Sequence, residues 1–232
     1  MKIKLYFLFI LGVALLVSCT KDNYDMPDTS LTGRIVYNGE PINVEYDQVR
    51  IQLWESGWQL RAPIDVTIKQ DGSFSSVLFK GSYKMVIPVG QGPFLTHIND
   101  GTQSDTIALE LRGSQALDIE VTPYYMVRNP QFVKSDNFVN ASFSIEKIVT
   151  DVSAKNFERV FLYINKTQFV SGGSSIKVAE KAAGDITDMA NVSLSAEIPA
   201  LVPAQSYVYA RVGVKISGVE DLIFSPVQKI TF

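Results

Sequence analysis

The sequence predicts an all-β protein, built as two consecutive antiparallel β-sandwiches after a signal peptide and a flexible tether. Segments of five to seven residues repeatedly alternate apolar and polar side chains, which is the period of a half-buried strand. Turns rich in Asn, Asp and Gly separate these segments, and no long helical period interrupts them. Apolar residues make up 46% of the chain, so each domain can form an ordinary core without an internal disulfide, which the single cysteine excludes.

The N-terminal segment, residues 1–18, predicts a signal peptide. Lys2 and Lys4 precede an apolar run from Leu5 to Val17, which is shorter than the roughly 20 residues that cross a bilayer and suits the hydrophobic region of a signal. Leu16-Val17-Ser18-Cys19 resembles the lipobox of bacterial lipoproteins. The resemblance implies that Cys19 is lipidated and anchors the mature protein to the outer membrane. The alternative is an ordinary secretory signal with an incidental cysteine.

Residues 19–29 predict a flexible tether, because they are polar and acidic and carry no apolar period. Their Lys-Asp-rich start resembles the surface-export signal of Bacteroidetes lipoproteins. That resemblance implies a protein that faces the cell exterior, and a plain spacer on a periplasm-facing lipoprotein is the alternative.

The first sandwich is expected over residues 30–126. Leu31 to Tyr37 alternates, and Asn38-Gly39 then predicts a tight turn. Gln48 to Trp54 places Val49, Ile51 and Leu53 on one face and Trp54 on the other. Several segments together resemble the carboxypeptidase-regulatory, transthyretin-like sandwich family, whose members are usually non-catalytic modules: Leu31–Val36, Gly39–Ile42, Val49–Leu53, Asp71–Phe74 and Gly81–Met85.

The second sandwich is expected over residues 127–232, after a hinge at Arg128-Asn129-Pro130. Val160 to Ile164 is apolar on both faces, which predicts a strand buried on both sides. Residues 177–183 could form one or two helical turns. Tyr207 to Lys215 resembles a late strand of a fibronectin-III-like domain, which implies an immunoglobulin-like sandwich.

The whole chain resembles two-domain surface lipoproteins of Bacteroidetes, a family of unknown function found with glycan importers of the starch-utilisation type. Besides the lipobox and the first sandwich, Lys80–Lys84 and Gly90–Phe94 carry the likeness. It implies a non-catalytic, accessory carbohydrate-binding component of a polysaccharide uptake system. The alternative is a structural or partner-binding subunit of the importer complex with no affinity for glycans.

Little in the sequence indicates catalysis. His97 is the only histidine, and a lipidated Cys19 leaves no free thiol, so Cys/His metal sites and Cys-His nucleophilic pairs are excluded. No serine lies in a nucleophile-elbow context and no phosphate-binding loop occurs. Paired carboxylates for glycoside hydrolysis remain open, because 24 acidic residues always supply candidate pairs. We predict no enzyme activity, no cofactor and no metal. Scattered lysines and arginines also argue against a nucleic-acid partner.

Aromatic residues are the best candidates for a binding surface. Trp54 and Trp58 lie on one predicted hairpin, and Trp54 is on its polar face. The C–H face of a sugar ring packs on aromatic surface, so this pair predicts a glycan platform that Tyr37 and Phe94 could join. The alternative is that the tryptophans fill the core or the contact between the domains.

Overall fold

A computed structural model describes residues 25–57 and 62–232. Across these ranges the chain is all-β, as predicted, and it forms two domains that meet at Tyr124. The predicted signal peptide, Cys19 and Trp58 lie outside the described residues. No helix within the described ranges is long and apolar enough to cross a membrane.

The first domain contains two sheets. Its strands, in the part of the chain that the structure describes, are β1 (Thr29–Tyr37), β2 (Glu40–Pro41), β3 (Arg50–Glu55), β4 (Ile64–Thr67), β5 (Ser73–Leu78), β6 (Gly81–Val86), β7 (Phe94–Thr96), β8 (Ile107–Leu111), β9 (Gln115–Ala116) and β10 (Ile119–Pro123). One sheet has the order β2-β1-β10-β7, with β5 and β9 also paired to β1, and the other has the order β4-β3-β6-β8. The pairs β1–β9 and β1–β10 are parallel, which the antiparallel prediction missed. Parallel neighbours need a long crossover, and here the whole opposite sheet supplies it.

The alternating pattern places the core of this domain as predicted. Val49, Ile51 and Leu53 are buried between the sheets, while Trp54 is on the outer face. The turn between β1 and β2 has positive φ at both central residues, 51° at Asn38 and 78° at Gly39. This is the conformation that favours Asn-Gly in two-residue hairpins.

The second domain also contains two sheets. Its described elements are β11 (Tyr125–Ser135), β12 (Phe138–Lys147), β13 (Phe157–Asn165), β14 (Lys177–Ala182), a 3₁₀ turn (Ala183–Asp185), β15 (Val192–Glu197), β16 (Tyr207–Ile216), β17 (Ile223–Phe224) and β18 (Gln228–Thr231). One sheet has the order β11-β12-β15, and the other has the order β14-β13-β16-β17 with β18 also paired to β16. The helical prediction for residues 177–183 is wrong, because residues 177–182 pair along the edge of β13. The gain from this tertiary pairing outweighs the helix propensity of the alanines.

The predicted hinge is also wrong. Arg128, Asn129 and Pro130 lie inside β11, where the register with β12 shifts between Arg128 and Gln131. A β-bulge accommodates both the positive φ of Asn129, 50°, and the missing N–H of Pro130. The junction is instead the buried Tyr124 between β10 and β11.

Strand β13 is buried on both faces, as predicted. Val160, Leu162 and Ile164 point into the sandwich, and Tyr163 is buried on the opposite face. Val170 and Phe224 pack with Tyr163 in a small second cluster. This cluster lies on the outer face of the second domain, against the first.

Candidate functional site

The structure does not bring Tyr37 and Trp54, two of the sequence-predicted aromatics, together. Trp54 is half-buried on the outer face of β4-β3-β6-β8, where its cross-strand partner is Lys84. Tyr37 ends β1 in the other sheet and is half-buried against the core. Trp58 lies outside the described residues. A single platform formed by Tyr37 and Trp54 is therefore not present.

Phe94 was expected to present an aromatic face, and this expectation is wrong. Phe94 begins β7, and its side chain is only 5% exposed in the core of the first domain. Its ring packs against the backbone of Gly92, where an added Cβ would approach the ring to 2.3 Å. A ring held in this way offers no surface to a ligand.

His97 is exposed, as expected for a loop residue. It lies with Asn99 and Asp105 beside a hollow of about 430 Å³ in the first domain. Among the described residues, no group of three or more His, Cys, Asp or Glu side chains is placed to hold a metal ion.

The more prominent feature is the contact between the domains. Residues 43–48, which connect β2 to β3, lie on the second domain. The backbone N–H of Phe224 donates to Asn43 O over 3.0 Å, and Arg211 Nη1 donates to Val44 O over 2.9 Å. A third hydrogen bond joins the Gly92 N–H to Asp221 Oδ2 over 2.7 Å. The first two contacts fix the connection between β2 and β3 on the second domain, and the third fixes the connection between β6 and β7 on it.

Gln70 supplies a bidentate clamp between the domains. Its Nε2 donates to Gln168 O, and its Oε1 accepts from the Val170 N–H, each over 3.0 Å. The side-chain amide thus pairs with the loop after β13 as a backbone peptide unit would in a sheet. Phe169, between the two contacted residues, is held in a fixed position.

A buried cation lies beneath this contact. Arg211 on β16 is fully buried, and its guanidinium stacks on the Phe224 ring, 3.6 Å from the ring centre. Burial lowers the pKa of Arg211 to about 9, although the Glu45 carboxylate favours the protonated form, so the group is still charged at neutral pH. Its Nε and Nη2 have no hydrogen-bond partner within the described ranges. Burial, and secondarily Glu45, raises the pKa of the neighbouring Tyr163.

An open cleft runs along the contact between the domains, and one aromatic pair divides it into two lobes. Tyr46 from the first domain and Phe169 from the second meet edge to face, with their ring centres 5.5 Å apart. Their side chains are 47% and 44% exposed. The cleft has a first lobe of about 680 Å³ beside Glu45, Gln48 and Ser174. A second lobe of about 590 Å³ lies beside Lys69, Asp71 and Val227.

The first lobe also contains polar groups that are free to bind a ligand. Within the part of the chain that the structure describes, the side chains of Glu45, Gln48 and Ser174 make no hydrogen bond to another protein group. By contrast, Asn165 in the same lobe is occupied by the Lys166 N–H and Phe169 O. A carboxylate, an amide and a hydroxyl offer both donors and acceptors next to two exposed rings. This arrangement suits the binding of a polyhydroxylated molecule.

Sequence reasoning did not identify the residues of this cleft. Tyr46 and Phe169 are 123 positions apart in the chain, and neither belongs to an alternating segment. The available signal was an aromatic side chain inside a turn rich in small or polar residues, as in Thr167 to Ser174. Arg211 had a clearer signal, because it is the one charge within the stretch Tyr207 to Val214 of a central strand.

Comparison with known proteins supports the two-domain description. The family model described as "Protein of unknown function (DUF3823) N-terminal domain" matches residues 29–122, and the model "Domain of unknown function (DUF3823_C)" matches residues 125–229. No match is found among the curated proteins.

Solved structures show the same arrangement over nearly the whole chain. A DUF3823 family protein from Bacteroides ovatus is 34% identical, with a TM-score of 0.74, covering 88% of this chain and 99% of the other. One from Parabacteroides merdae is 33% identical, with a TM-score of 0.76 and coverages of 89% and 100%. A Bacteroides uniformis protein described as a "putative carbohydrate binding protein" is 18% identical, with a TM-score of 0.68 and coverages of 89% and 100%, and it shares the fold. With both domain models matched in order, this chain belongs to the DUF3823 family.

Proposed function

We propose that the protein is a non-catalytic surface lipoprotein that binds glycans in the cleft between its two domains. One observation carries this proposal: an exposed aromatic ring from each domain, Tyr46 and Phe169, meets at the centre of that cleft. Because each domain contributes one ring, the binding surface exists only when the domains are docked.

Glycan binding follows from the chemistry of this surface. A pyranose ring has an apolar C–H face, and its burial against an aromatic ring removes apolar area from water. Its hydroxyl groups lose hydrogen bonds to water on binding, so the protein must supply donors and acceptors in their place. Glu45, Gln48 and Ser174 supply such groups beside the rings. Stacking and hydrogen bonding are thus available to the same ligand.

The cellular setting of the proposal comes from the sequence. The lipobox-like Leu16–Cys19 implies an outer-membrane anchor on Cys19, and the acidic tether implies exposure to the exterior. The fibronectin-III likeness of the second domain and the resemblance to lipoproteins of starch-utilisation-type systems agree with an accessory role in polysaccharide uptake. The description of the B. uniformis relative as a "putative carbohydrate binding protein" supports the same function. In this role the protein would hold polysaccharide near an importer without cutting it.

The test is a titration of the purified protein with a panel of polysaccharides, followed by Tyr46→Ala and Phe169→Ala variants. Truncating a central aromatic contact should weaken binding by about tenfold or more. Phe138→Ala is the matched control, because Phe138 is 42% exposed and lies away from the cleft on β12. Trp54→Ala tests the platform that the sequence predicted. If only Trp54→Ala reduces binding, the cleft is not the site.

A partner-binding subunit without glycan affinity is the second candidate, and a different surface favours it. Val133, 62% exposed, and Phe138 lie on the outer face of the β11-β12-β15 sheet. An importer subunit could dock on these apolar side chains. Absence of binding across the whole polysaccharide panel, with importer binding that Phe138→Ala weakens, would favour this function over the first.

A further inference from the structure

We infer that the cleft binds the interior of an uncharged glycan chain, with sugar units in both lobes and the chain crossing the Tyr46–Phe169 pair. This inference rests on the proposed function and specifies its substrate class. It concerns the length and charge of the ligand.

The shape of the cleft favours an extended chain over a single sugar. Tyr46, Gln70 and Phe169 line both lobes, so the aromatic pair is a saddle between two hollows and not the end wall of one pocket. Both lobes open to solvent, and together they exceed the roughly 300–1,000 Å³ of a typical small-ligand site. A chain that stacks on the saddle can therefore continue in both directions.

The saddle is also rigid enough to select a chain conformation. The Gln70 clamp holds the residues on both sides of Phe169, and the backbone bond from Phe224 to Asn43 holds the connection that carries Tyr46. Aromatic rings that are fixed before binding cost less side-chain entropy when a ligand stacks on them. Neighbouring sugar units would meet preformed surfaces on either side.

The charges of the cleft favour an uncharged ligand. Among the described residues that line the first lobe, Glu45 is the only charged one. The cation beneath it, Arg211, is fully buried and cannot reach a ligand. In the second lobe Lys69 is accompanied by Asp71. A uronate or sulfate group in the first lobe would lose hydration and face the Glu45 carboxylate without an exposed cation to compensate.

The first experiment compares neutral polysaccharides with acidic ones in binding to the purified protein. Starch, mannan, arabinoxylan, xyloglucan and β-1,3-glucan form the neutral set, and polygalacturonate, alginate and chondroitin sulfate form the acidic set. Binding should be confined to members of the neutral set. Retention of only acidic polysaccharides would overturn the inference while leaving glycan binding intact. Retention of none would overturn the proposed function itself.

The second experiment measures chain length with oligosaccharides of one to eight units from the retained polysaccharide. Affinity should rise by about tenfold or more between the monosaccharide and the hexasaccharide, as contacts in the second lobe are added. Two exposed positions that engage the fold only through their backbones allow each lobe to be blocked separately, by Ser174→Trp in the first and Gln168→Trp in the second. Each variant should weaken hexasaccharide binding and flatten the dependence on length. Equal affinity for monosaccharide and hexasaccharide would show that one lobe acts alone. Hexasaccharide affinity that Gln168→Trp leaves unchanged would show the same.

Discussion

The loop that carries Gly90 and Gly92 provides a sharp test of how the domains are held together. Gly92 has a φ of 82° and Gly90 a φ of 88°. An alanine in this left-handed region costs about 1–2 kcal/mol at either position. The surroundings of the two residues differ completely: an added Cβ at Gly90 meets nothing within 4 Å, whereas at Gly92 it would lie 2.3–2.9 Å from three atoms of the Phe94 ring.

The additional cost at Gly92 comes from two sources. The Phe94 ring is buried and cannot move without disturbing the core, and overpacking of this kind costs about 1–3 kcal/mol. Moving the loop would also stretch the 2.7 Å hydrogen bond from the Gly92 N–H to Asp221. Asp221 is itself buried, so an unsatisfied carboxylate there adds about 1–3 kcal/mol. Gly92→Ala should therefore reduce the free energy of unfolding by at least about 2 kcal/mol more than Gly90→Ala.

Urea unfolding followed by tryptophan fluorescence measures both variants under the same conditions, with Gly90→Ala as the control for backbone strain. Equal losses in the two variants would refute the reasoning, because strain alone would then account for both. A loss at Gly92 that persists unchanged in an Asp221→Ala background, which lacks the acceptor, would assign the cost to Phe94 and not to the contact between domains.

The remaining predictions concern pH and the Gln70 clamp. Burial, and secondarily Glu55, raises the pKa of Tyr83 to about 12, whereas an unfolded tyrosine ionises near 10. The unfolded chain therefore loses this proton first, so stability should fall between about pH 10 and 12. Tyr83→Phe should make the free energy of unfolding, measured by urea titration at each pH, decrease less over this range. An unchanged dependence on pH would show that Tyr83 is not the group responsible. Gln70→Ala removes two hydrogen bonds between the domains and should cost about 1–3 kcal/mol. The exposed Gln48→Ala should remain within about 0.5 kcal/mol of wild type in thermal unfolding, and similar losses in both variants would refute the clamp.

The parts of the fold that could be predicted are those that neighbouring residues determine. The burial of Val49, Ile51 and Leu53 follows from a period of two, and the Asn38-Gly39 turn follows from the positive φ that both residues tolerate. Arg128 to Pro130 shows the limit of such reasoning. A proline after an asparagine indicates an interruption of regular structure, but a bulge within a strand and a linker between domains produce the same local signal.

The candidate site could not be predicted because it depends on how the two domains dock. Strand alternation correctly placed Trp54 on an outer face, but it gives no information on which outer faces meet. Tyr46 and Phe169 come from turns whose sequences specify only local geometry. Phe94 shows the converse problem, since an aromatic residue after a glycine-rich turn can begin a strand and enter the core.

A site formed by residues of two domains requires that the domains dock in one arrangement. The buried Arg211 helps to select that arrangement. A purely apolar contact could slide, because burial of apolar area has no preferred direction. Arg211 donates to one carbonyl, that of Val44, and stacks on one ring, that of Phe224. Phe224 lies in the same domain as Arg211, so the stacking positions the guanidinium within the second domain, whereas the hydrogen bond to Val44 reaches the first. That hydrogen bond fails if the domains shift, and a desolvated guanidinium left without it is costly. The charge therefore specifies a single docked arrangement more than it adds stability, and that arrangement keeps Tyr46 and Phe169 5.5 Å apart at the centre of the cleft.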